Sequence, residues 1–317
     1  MSALPQPRNP RRMPWSEVPD AVVAAIGARA GSVVGSVEAA ALGFSPGFAG
    51  VVRFSDGSRL FLKVMSGDRD PWSIHLNRRE AEVLAELPGE LPVPRLEWTL
   101  EVGDWFVLAT DVIDGEHPVA TNAEHSEALW AVFEELASAP APAGLQAFHE
   151  SDESFFTLWR TIAEDPGCVE RLSSHGEAGK WALANLDRLV EWGADGAEAS
   201  EGDALVHGDL RADNILLAGG RAFIVDWPWA TRGAAWLDLA GYLPSHEMNG
   251  GDACWDVFHA HPLSRGVELR HERGIVAALA GYFTVMSTEP PHPALPGLRE
   301  FQRAQAAPAL RWLRRLT

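Results

Sequence analysis

The chain has 317 residues, of which 46% are hydrophobic and 22% charged, a composition typical of a folded protein with one large domain or two smaller ones. Its net charge of −18 argues against nucleic acid and anionic membranes as partners, because both would be repelled. No apolar run is long enough to span a membrane, and two cysteines, Cys168 and Cys254, are too few for a disulfide framework or a zinc site, so we expect a protein of the reducing cytoplasm.

Short strands dominate the predicted elements of the first part of the chain. Residues 1–13 contain three arginines and three prolines and are predicted to form a loose tail, which a helix over residues 15–30 follows. The next elements are predicted as strands at 33–41, 50–54 and 60–64, a helix at 76–87, and strands at 95–99 and 105–110. The Ser-Asp-Gly-Ser turn at residues 55–58 would join the second and third strands as a hairpin.

Helices dominate after residue 123. They are predicted at 124–137, 180–192, 274–286 and 298–316, with a loop at 193–202 and a proline-rich turn at 290–296. Pro308 is expected to kink or split the last helix. A sheet-rich part is thus followed by a helical part, with the join near residues 111–115.

Charge and lysine are unevenly distributed. Residues 113–317 hold 15 basic and 30 acidic side chains, which is −15 of the total of −18. This excess can attract a cationic substrate, or it can merely keep the surface soluble, and both interpretations stay open. The chain has 24 arginines but only two lysines, Lys63 and Lys180. Because Lys63 lies in an apolar run that is predicted to be a strand, we expect a specific role for its ammonium group.

A polar segment lies between two apolar runs at residues 204–217. Its His-Gly-Asp sequence ends at Asp209, and Asn214 follows five positions later. A further apolar strand, at residues 222–225, ends in Asp226. The flanking strands would bring these three polar side chains to one end of a small sheet. Two carboxylates and an amide oxygen are hard ligands, suited to Mg²⁺ and a phosphate chain.

This segment resembles the catalytic loop of the aminoglycoside phosphotransferase family, in which His-Gly-Asp-x-x-x-x-Asn stands where protein kinases have His-Arg-Asp-x-x-x-x-Asn. The family shares the protein-kinase fold, and the resemblance extends over about residues 33–243. It implies that Asp209 orients the acceptor hydroxyl and accepts its proton. It also implies that Asn214 and Asp226 hold the magnesium ions that bridge the phosphates of the donor.

The resemblance places the phosphate-covering loop of the nucleotide site in a glycine-rich segment between two strands. Gly43, Ser45 and Gly47 lie in this segment, where backbone amides can approach phosphate oxygens closely. The spacing departs from the Gly-x-Gly-x-x-Gly of protein kinases. A plain glycine-rich hairpin remains the alternative interpretation.

The rest of the nucleotide site is implied in the same way. Lys63 fits the strand lysine that reaches the phosphates of the donor. Glu80 fits the helix carboxylate that pairs with this lysine, and Glu82 is the fallback on another face of the helix. Asp111 and Val112 fit the hinge, whose backbone would meet the purine.

Two positions are implied to be structural, and one segment departs from the family pattern. Asp238 resembles the helix aspartate that braces the backbone of the catalytic loop, and His207 is interpreted as part of the scaffold. After Asp226 the family usually has an aromatic residue and a glycine, whereas this chain has Trp-Pro-Trp. Because proline fixes the backbone, switching of this segment is not expected. We assign Trp227 to the core and leave the role of Trp229 open.

We therefore predict an α+β protein with a two-lobed, protein-kinase-like fold. An N-lobe with an antiparallel sheet, residues 1–112, would bind ATP or GTP with Mg²⁺. A larger, mainly helical C-lobe, residues 113–317, would supply the catalytic loop and the acceptor site. The acceptor is predicted to be a hydroxyl of an aminoglycoside-like cationic antibiotic, because the C-lobe is so acidic. A kinase of choline, homoserine or a sugar and a nucleotide-binding protein without catalysis are the alternatives, and a monomer or weak dimer is expected.

Overall fold

The computed structural model describes residues 7, 9–173, 176–292 and 295–317. These residues form a five-stranded antiparallel sheet followed by a mainly helical part, as the predicted fold class requires. Residues 111–115 connect the two parts, and the boundary at residue 112 stays a prediction. None of the helices in the described ranges is long and apolar enough to cross a membrane.

The N-lobe sheet has the strand order β1-β2-β3-β5-β4. Its strands are β1 (Val34–Ala39), β2 (Phe48–Phe54), β3 (Arg59–Ser66), β4 (Leu96–Val102) and β5 (Trp105–Thr110). β2 and β3 pair with Ala49 opposite Lys63 and Val51 opposite Phe61. Because side chains alternate along a strand, Phe61 and Lys63 share one face of the sheet, and Leu62 lies on the other. The first of these faces lines the cleft between the lobes.

Two helices cover the sheet. α1 (Asp20–Ala30) packs on the face that carries Leu62, and α2 (Pro71–Glu86) packs on the opposite face. α1 is shorter than predicted because Pro19 precedes it and residues 15–17 form a separate 3-10 turn. α2 begins five residues before the predicted start, since Asp70 caps it by accepting a hydrogen bond from the backbone N–H of Trp72 and Pro71 takes the first helical position.

The C-lobe is built from ten helices and four short strands in the described residues. The helices are α3 (Ala123–Ser138), α4 (Phe148–Ser151), α5 (Leu158–Glu164), α6 (Pro166–Ser173), α7 (Gly176–Ala184), α8 (Leu186–Ala199), α9 (Leu237–Met248), α10 (Cys254–Ala260), α11 (Leu269–Met286) and α12 (Leu298–Arg315). The strands are β6 (Ala204–Val206), β7 (Ile215–Ala218), β8 (Arg221–Ile224) and β9 (Thr231–Gly233), in which β6 pairs with β9 and β7 with β8.

The loop predicted at 193–202 is wrong for residues 193–199, because α8 continues to Ala199, and only residues 200–202 lie outside the helix. Two of the three glycines in this range, Gly193 and Gly196, lie inside the helix and allow close packing. A Cβ atom at Gly196 would lie 2.7 Å from the ring of Phe156 and 2.9 Å from the backbone oxygen of Gly274 on α11. The single helix predicted at 180–192 is also wrong, since the helical conformation is interrupted at Asn185, between α7 and α8.

The carboxy-terminal elements differ less from the prediction. α11 begins at Leu269, five residues before the predicted start, and α12 runs without interruption through Pro308. The helix is therefore not split at this proline, and a kink there stays a prediction. The proline-rich turn predicted at 290–296 lies partly outside the described residues, which omit 293 and 294.

The predicted loose tail is partly wrong as well. Residues 1–6 and 8 lie outside the described part of the chain, but Asn9 and Met13 are buried. Met13 belongs to the apolar cluster between α1 and the sheet, and its backbone N–H donates to the oxygen of Pro46 at 2.9 Å. Residues 9–13 therefore pack against the glycine-rich segment of the N-lobe.

Candidate active site

The carboxylate of Asp238 holds the loop that follows β6. Asp238 lies in the first turn of α9, and its two oxygens accept the backbone N–H groups of His207 at 2.7 Å and of Gly208 at 3.0 Å. Burial raises the pKa of Asp238 above its ordinary value. These contacts are those of the brace that the sequence predicts at this position.

His207 connects the loop to the strand that precedes Asp226. Its Nδ1 accepts the backbone N–H of Asp209 at 3.2 Å, so the proton of the neutral ring lies on Nε2, which donates to the oxygen of Val225 at 3.1 Å. The ring packs edge-on against Trp227, which is fully buried, as predicted. Burial lowers the pKa of His207 and favours this neutral form. The histidine therefore acts as scaffold.

Asp209, the base expected from the sequence, accepts a hydrogen bond from an arginine that the sequence analysis missed. Arg211 donates to Asp209 and, through Nε and Nη2, to both carboxylate oxygens of Asp213 at 3.1 Å each. Burial raises the pKa of Asp209 to about 6, although the charge of Arg211 acts in the opposite direction. A cation placed two residues after the aspartate is a signal that sequence reasoning could have used.

Asn214 and Asp226 lie on either side of the β7–β8 hairpin and meet at its end. The Nδ2 group of Asn214 donates to the backbone oxygen of Asp209 at 2.9 Å, and this leaves the amide oxygen for a ligand. The backbone N–H of Val225 donates to the backbone oxygen of Asn214 at 2.9 Å, which joins the two positions. An amide oxygen and a carboxylate side by side fit the oxygen-ligand chemistry of Mg²⁺.

Lys63 reaches two carboxylates from the middle of β3. Its Nζ lies 2.6 Å from Glu80 on α2 and 2.5 Å from Asp226. Burial alone would lower the pKa of Lys63, but the two negative charges raise it above its ordinary value. Glu80 is buried and Glu82 is exposed, so the fallback partner is not used. The structure thus brings the predicted pair together and adds Asp226 to it.

α2 is also fastened to the segment that follows Asp226. Arg79 donates from Nε to the oxygen of Pro228 at 2.7 Å and from Nη2 to the oxygen of Ala230 at 2.9 Å. The neighbouring Trp229 is 44% exposed and lies near Trp72, at 6.4 Å between ring centroids. The segment that departs from the family pattern is therefore held by the helix that carries Glu80.

The glycine-rich segment at residues 40–47 extends over the cleft toward the C-lobe. Gly43, Ser45 and Gly47 all lie in it, between β1 and β2. Phe44 at its tip contacts Phe301 of α12 edge-on at 5.5 Å, and the guanidinium of Arg211 lies 5.9 Å from each of these two rings. Sequence reasoning missed these contacts because they join residues 90 or more positions apart.

The connection after β5 borders a cavity of about 540 Å³. Val112 lines this cavity together with Val51 of β2 and Leu217 of β7. Asp111 is engaged elsewhere, because its backbone N–H donates to the oxygen of Arg95 at 3.1 Å and its carboxylate accepts the N–H of Arg95 at 2.7 Å. Among the described residues the N–H of Val112 has no acceptor, so Val112 is better placed than Asp111 to meet a purine.

Comparison with solved structures shows the same fold at low sequence identity. An aminoglycoside phosphotransferase from Alicyclobacillus acidocaldarius has a TM-score of 0.53 and 16% identity, over 89% of this chain and 91% of that one. A choline kinase from Cryptosporidium parvum has a TM-score of 0.55 and 13% identity, over 96% and 93%. An aminoglycoside phosphotransferase from Streptomyces rimosus, in complex with ADP and streptomycin, has a TM-score of 0.50 and 16% identity, over 82% and 98%.

No curated protein matches the chain in sequence. The family model described as the phosphotransferase enzyme family, APH, matches residues 41–274, well over half of the chain. This range holds the glycine-rich segment from Ala41, the Lys63–Glu80 pair and the loop around Asp209. The chain therefore belongs to the APH phosphotransferase family.

Proposed function

We propose that this protein is a Mg²⁺-dependent kinase that transfers the terminal phosphoryl group of ATP or GTP to a hydroxyl group of a small molecule. The observation that carries the proposal is the meeting of Lys63, Asp209, Asn214 and Asp226, from β3 and from both sides of the β7–β8 hairpin, in one cleft. Family membership and the fold support kinase activity.

In the proposed reaction the acceptor oxygen bonds to the terminal phosphorus while the bond from phosphorus to its bridging oxygen breaks. The nucleoside diphosphate leaves with the electron pair of that bond, and the proton of the hydroxyl passes to the carboxylate of Asp209. A base with a pKa of about 6 is ionised at neutral pH and binds a proton more strongly than an exposed aspartate. Arg211, which donates to Asp209, keeps this carboxylate in one orientation.

The donor would lie between the glycine-rich segment and the β7–β8 hairpin. The amide oxygen of Asn214 and the carboxylate of Asp226 would hold Mg²⁺, which would neutralise charge on the phosphates. Lys63 would contact the phosphates from β3, held in place by Glu80. The purine would occupy the cavity beside Val112, and both ATP and GTP fit this description.

The direct test measures transfer from terminally labelled ATP and GTP to a panel of alcohols. The panel holds aminoglycosides, choline, homoserine and sugars. Asp209→Asn should still bind the nucleotide but lose about 10²–10⁴-fold in turnover, whereas the matched surface variant Asp187→Asn should keep it. Asp226→Ala and Asn214→Ala should each raise the Mg²⁺ concentration needed for donor binding. A wild-type protein that binds no nucleotide and modifies no acceptor would refute the proposal.

The finer proposal for the acceptor is an aminoglycoside-like cationic antibiotic. The acidic C-lobe supports this choice, as does the fold shared with aminoglycoside phosphotransferases. The fold shared with a choline kinase supports the alternative of a housekeeping kinase. We place the reaction in the cytoplasm, where the triphosphate donor is abundant and where the two buried free cysteines would stay reduced.

A further inference from the structure

Residues 9–13, here called the N-terminal strap, lie outside the family match and bind the glycine-rich segment. The guanidinium of Arg12 donates to four backbone oxygens of that segment. These are the oxygens of Ala40 at 2.8 Å, Leu42 at 2.8 Å, Gly43 at 2.8 Å and Ser45 at 3.4 Å. The segment thus closes around one half-buried cation, although the sequence predicts a loose tail here.

The rest of the strap binds two further oxygens of the segment. Asn9 donates through Nδ2 to the oxygen of Phe44 at 3.0 Å, and the N–H of Met13 donates to the oxygen of Pro46 at 2.9 Å. With the contacts of Arg12, each of the five consecutive carbonyl groups of residues 42–46 accepts a hydrogen bond from the strap. The carbonyl groups of residues 42–46 are therefore all turned toward the strap.

The donors of the segment differ in direction. The N–H of Gly43 donates to the oxygen of Pro7 at 2.6 Å, beside the strap, whereas three later N–H groups point the other way. In a trans peptide, the C=O of one residue and the N–H of the next point in opposite directions. The N–H groups of Phe44, Ser45 and Gly47 are consequently directed away from the strap, and none of them has an acceptor among the described residues. Backbone N–H groups that lie together and have no partner bind anions such as phosphate.

Sterics and charge connect Arg12 to the same site. Gly43 has φ of 99°, which favours glycine, and a Cβ atom there would lie 2.8 Å from Nη2 of Arg12, so a side chain at this position would displace the guanidinium. Burial lowers the pKa of Arg12, and the negative charge of Asp226 acts in the opposite direction. The guanidinium of Arg12 therefore interacts electrostatically with Asp226, the Mg²⁺ ligand proposed above.

We propose that Arg12 is a positioning residue for the phosphoryl donor, because it holds the carbonyl groups of the glycine-rich segment and thereby presents the N–H groups of Phe44, Ser45 and Gly47 to the phosphates. The inference rests on the proposed function, since it names what organises the donor half of that site. The donor is a nucleoside triphosphate, whether ATP or GTP.

The test compares nucleotide binding with folding in the full chain. Non-hydrolysable analogues of ATP and GTP are titrated with Mg²⁺ by calorimetry into the wild type, Arg12→Gln, Arg12→Lys and Asn9→Ala, and thermal unfolding is recorded for each. Arg12→Gln removes hydrogen bonds from a charged donor and should raise the Kd about ten- to a hundred-fold. Asn9→Ala removes a neutral donor and should raise it about two- to ten-fold.

Two control variants separate this role from general destabilisation. Arg69→Gln makes the same substitution at an exposed ion pair with Glu17 in the N-lobe, away from the segment. Val22→Ala removes buried apolar volume under the sheet and should lower the melting temperature without changing the Kd of the analogue. In steady-state assays Arg12→Gln should raise the KM of the donor and leave the KM of the acceptor unchanged.

The outcomes distinguish this inference from the function on which it rests. A wild type that binds neither analogue would refute the proposed function, and this inference with it. Unchanged or tighter binding by folded Arg12→Gln would overturn the inference alone, and tighter binding would make the guanidinium a competitor of the phosphates. If Arg12→Gln does not fold, Asn9→Ala decides, because an unchanged Kd in that variant would also overturn the inference. Recovery of donor affinity in Arg12→Ala on addition of millimolar guanidinium would support it.

Discussion

Two residues beside the catalytic loop adopt a left-handed backbone conformation that few side chains tolerate. Asp226 has φ of 70° and is the one residue other than glycine with positive φ in the described part of the chain. Gly208 has φ of 82° and lies against the backbone of Trp229. Strain of this kind costs about 1–3 kcal/mol and persists where surrounding contacts hold the backbone. At Asp226 the ion pair with Lys63 supplies such a contact.

Substitution of Gly208 should therefore cost more stability and activity than the same substitution at a glycine that has positive φ but no close neighbour. A Cβ atom there would lie 2.7 Å from the oxygen of Trp229, whereas Gly220, with φ of 78°, has no atom within 4 Å of its Cβ position. Gly220→Ala should lose about 1–2 kcal/mol of unfolding free energy and keep turnover. Gly208→Ala should lose about 1–3 kcal/mol more and most of its turnover. Equal losses in chemical denaturation and in assay would contradict this account.

The pH dependence of turnover should follow Asp209. Only the ionised carboxylate can take the proton of the acceptor, so kcat/KM should fall as the pH drops through about 6, the pKa that burial gives this group. Because the charge of Arg211 lowers that pKa, Arg211→Gln should move the acidic limb to higher pH. The measurement is a pH profile of kcat/KM for both proteins. An acidic limb that lies at the same pH in the variant would argue against Asp209 as the titrating base.

The site residues differ in how far the sequence could predict them. Asp209 and Asn214 belong to one short motif, so their proximity follows from local order, and Lys63 stood out because lysine is so rare here. Arg12 and Phe44 were missed, because they matter only through contacts with distant residues. Nothing in a local pattern indicates such contacts before the fold is known.

At the scale of elements, the pairing of α8 and α11 depends on glycines that the sequence pattern assigns to a loop. Helix propensity is low for glycine, so residues 193–202 resemble a linker. Tertiary packing reverses that preference, because Gly196 lets the backbone of Gly274 approach closely.

Helix starts were missed for another reason. The start of α2 depends on the Asp70 cap with Pro71, a signal present in the sequence, whereas the paired strands of the sheet followed directly from apolar runs and turns.

Alanine substitutions should reveal this packing. Gly196→Ala places a methyl group 2.7 Å from Phe156 and should lower the free energy of unfolding by about 1–3 kcal/mol. Gly241→Ala, in α9, meets no atom within 4 Å and should raise it by about 0.4–1 kcal/mol, because alanine loses less backbone entropy. Urea denaturation of both variants measures the difference. A stabilised Gly196→Ala protein would show that the two helices can move apart without cost.

Over the whole molecule, polar links at the site join the sheet to the helices. Lys63 and Arg79 extend from the N-lobe to the segment around Asp226, and Phe44 extends to α12. The acidic excess is distributed differently. Exposed carboxylates line the outer helices α3, α6, α7 and α8, among them Glu127, Glu170, Glu177, Asp187 and Glu191. The carboxylates of the cleft are instead paired with arginine or lysine.

If the acidic surface attracts the acceptor, affinity should depend on salt. Attraction between charges is screened over a Debye length of about 8 Å at physiological ionic strength. The KM of a polycationic acceptor should therefore rise steeply between low and high salt, while the KM of a neutral alcohol should change little. Both are measured with one donor at fixed Mg²⁺. A preference for a neutral acceptor, or a cationic one whose KM ignores salt, would remove the aminoglycoside proposal and leave the kinase proposal intact.

Because the chain has only two lysines, a reagent that modifies amines can report on the exposure of Lys63 in the site. The Lys63 side chain is 16% exposed and holds its proton between two carboxylates, whereas the Lys180 side chain is 67% exposed on α7. A small acylating reagent should modify the exposed Lys180 readily and Lys63 only when both of its ion pairs have separated. The ratio of the two adducts, measured in one mass spectrum, then reports how often the ion pairs of Lys63 separate and the cleft opens. Lys180 serves as the internal standard, and the experiment can be done before any acceptor is known.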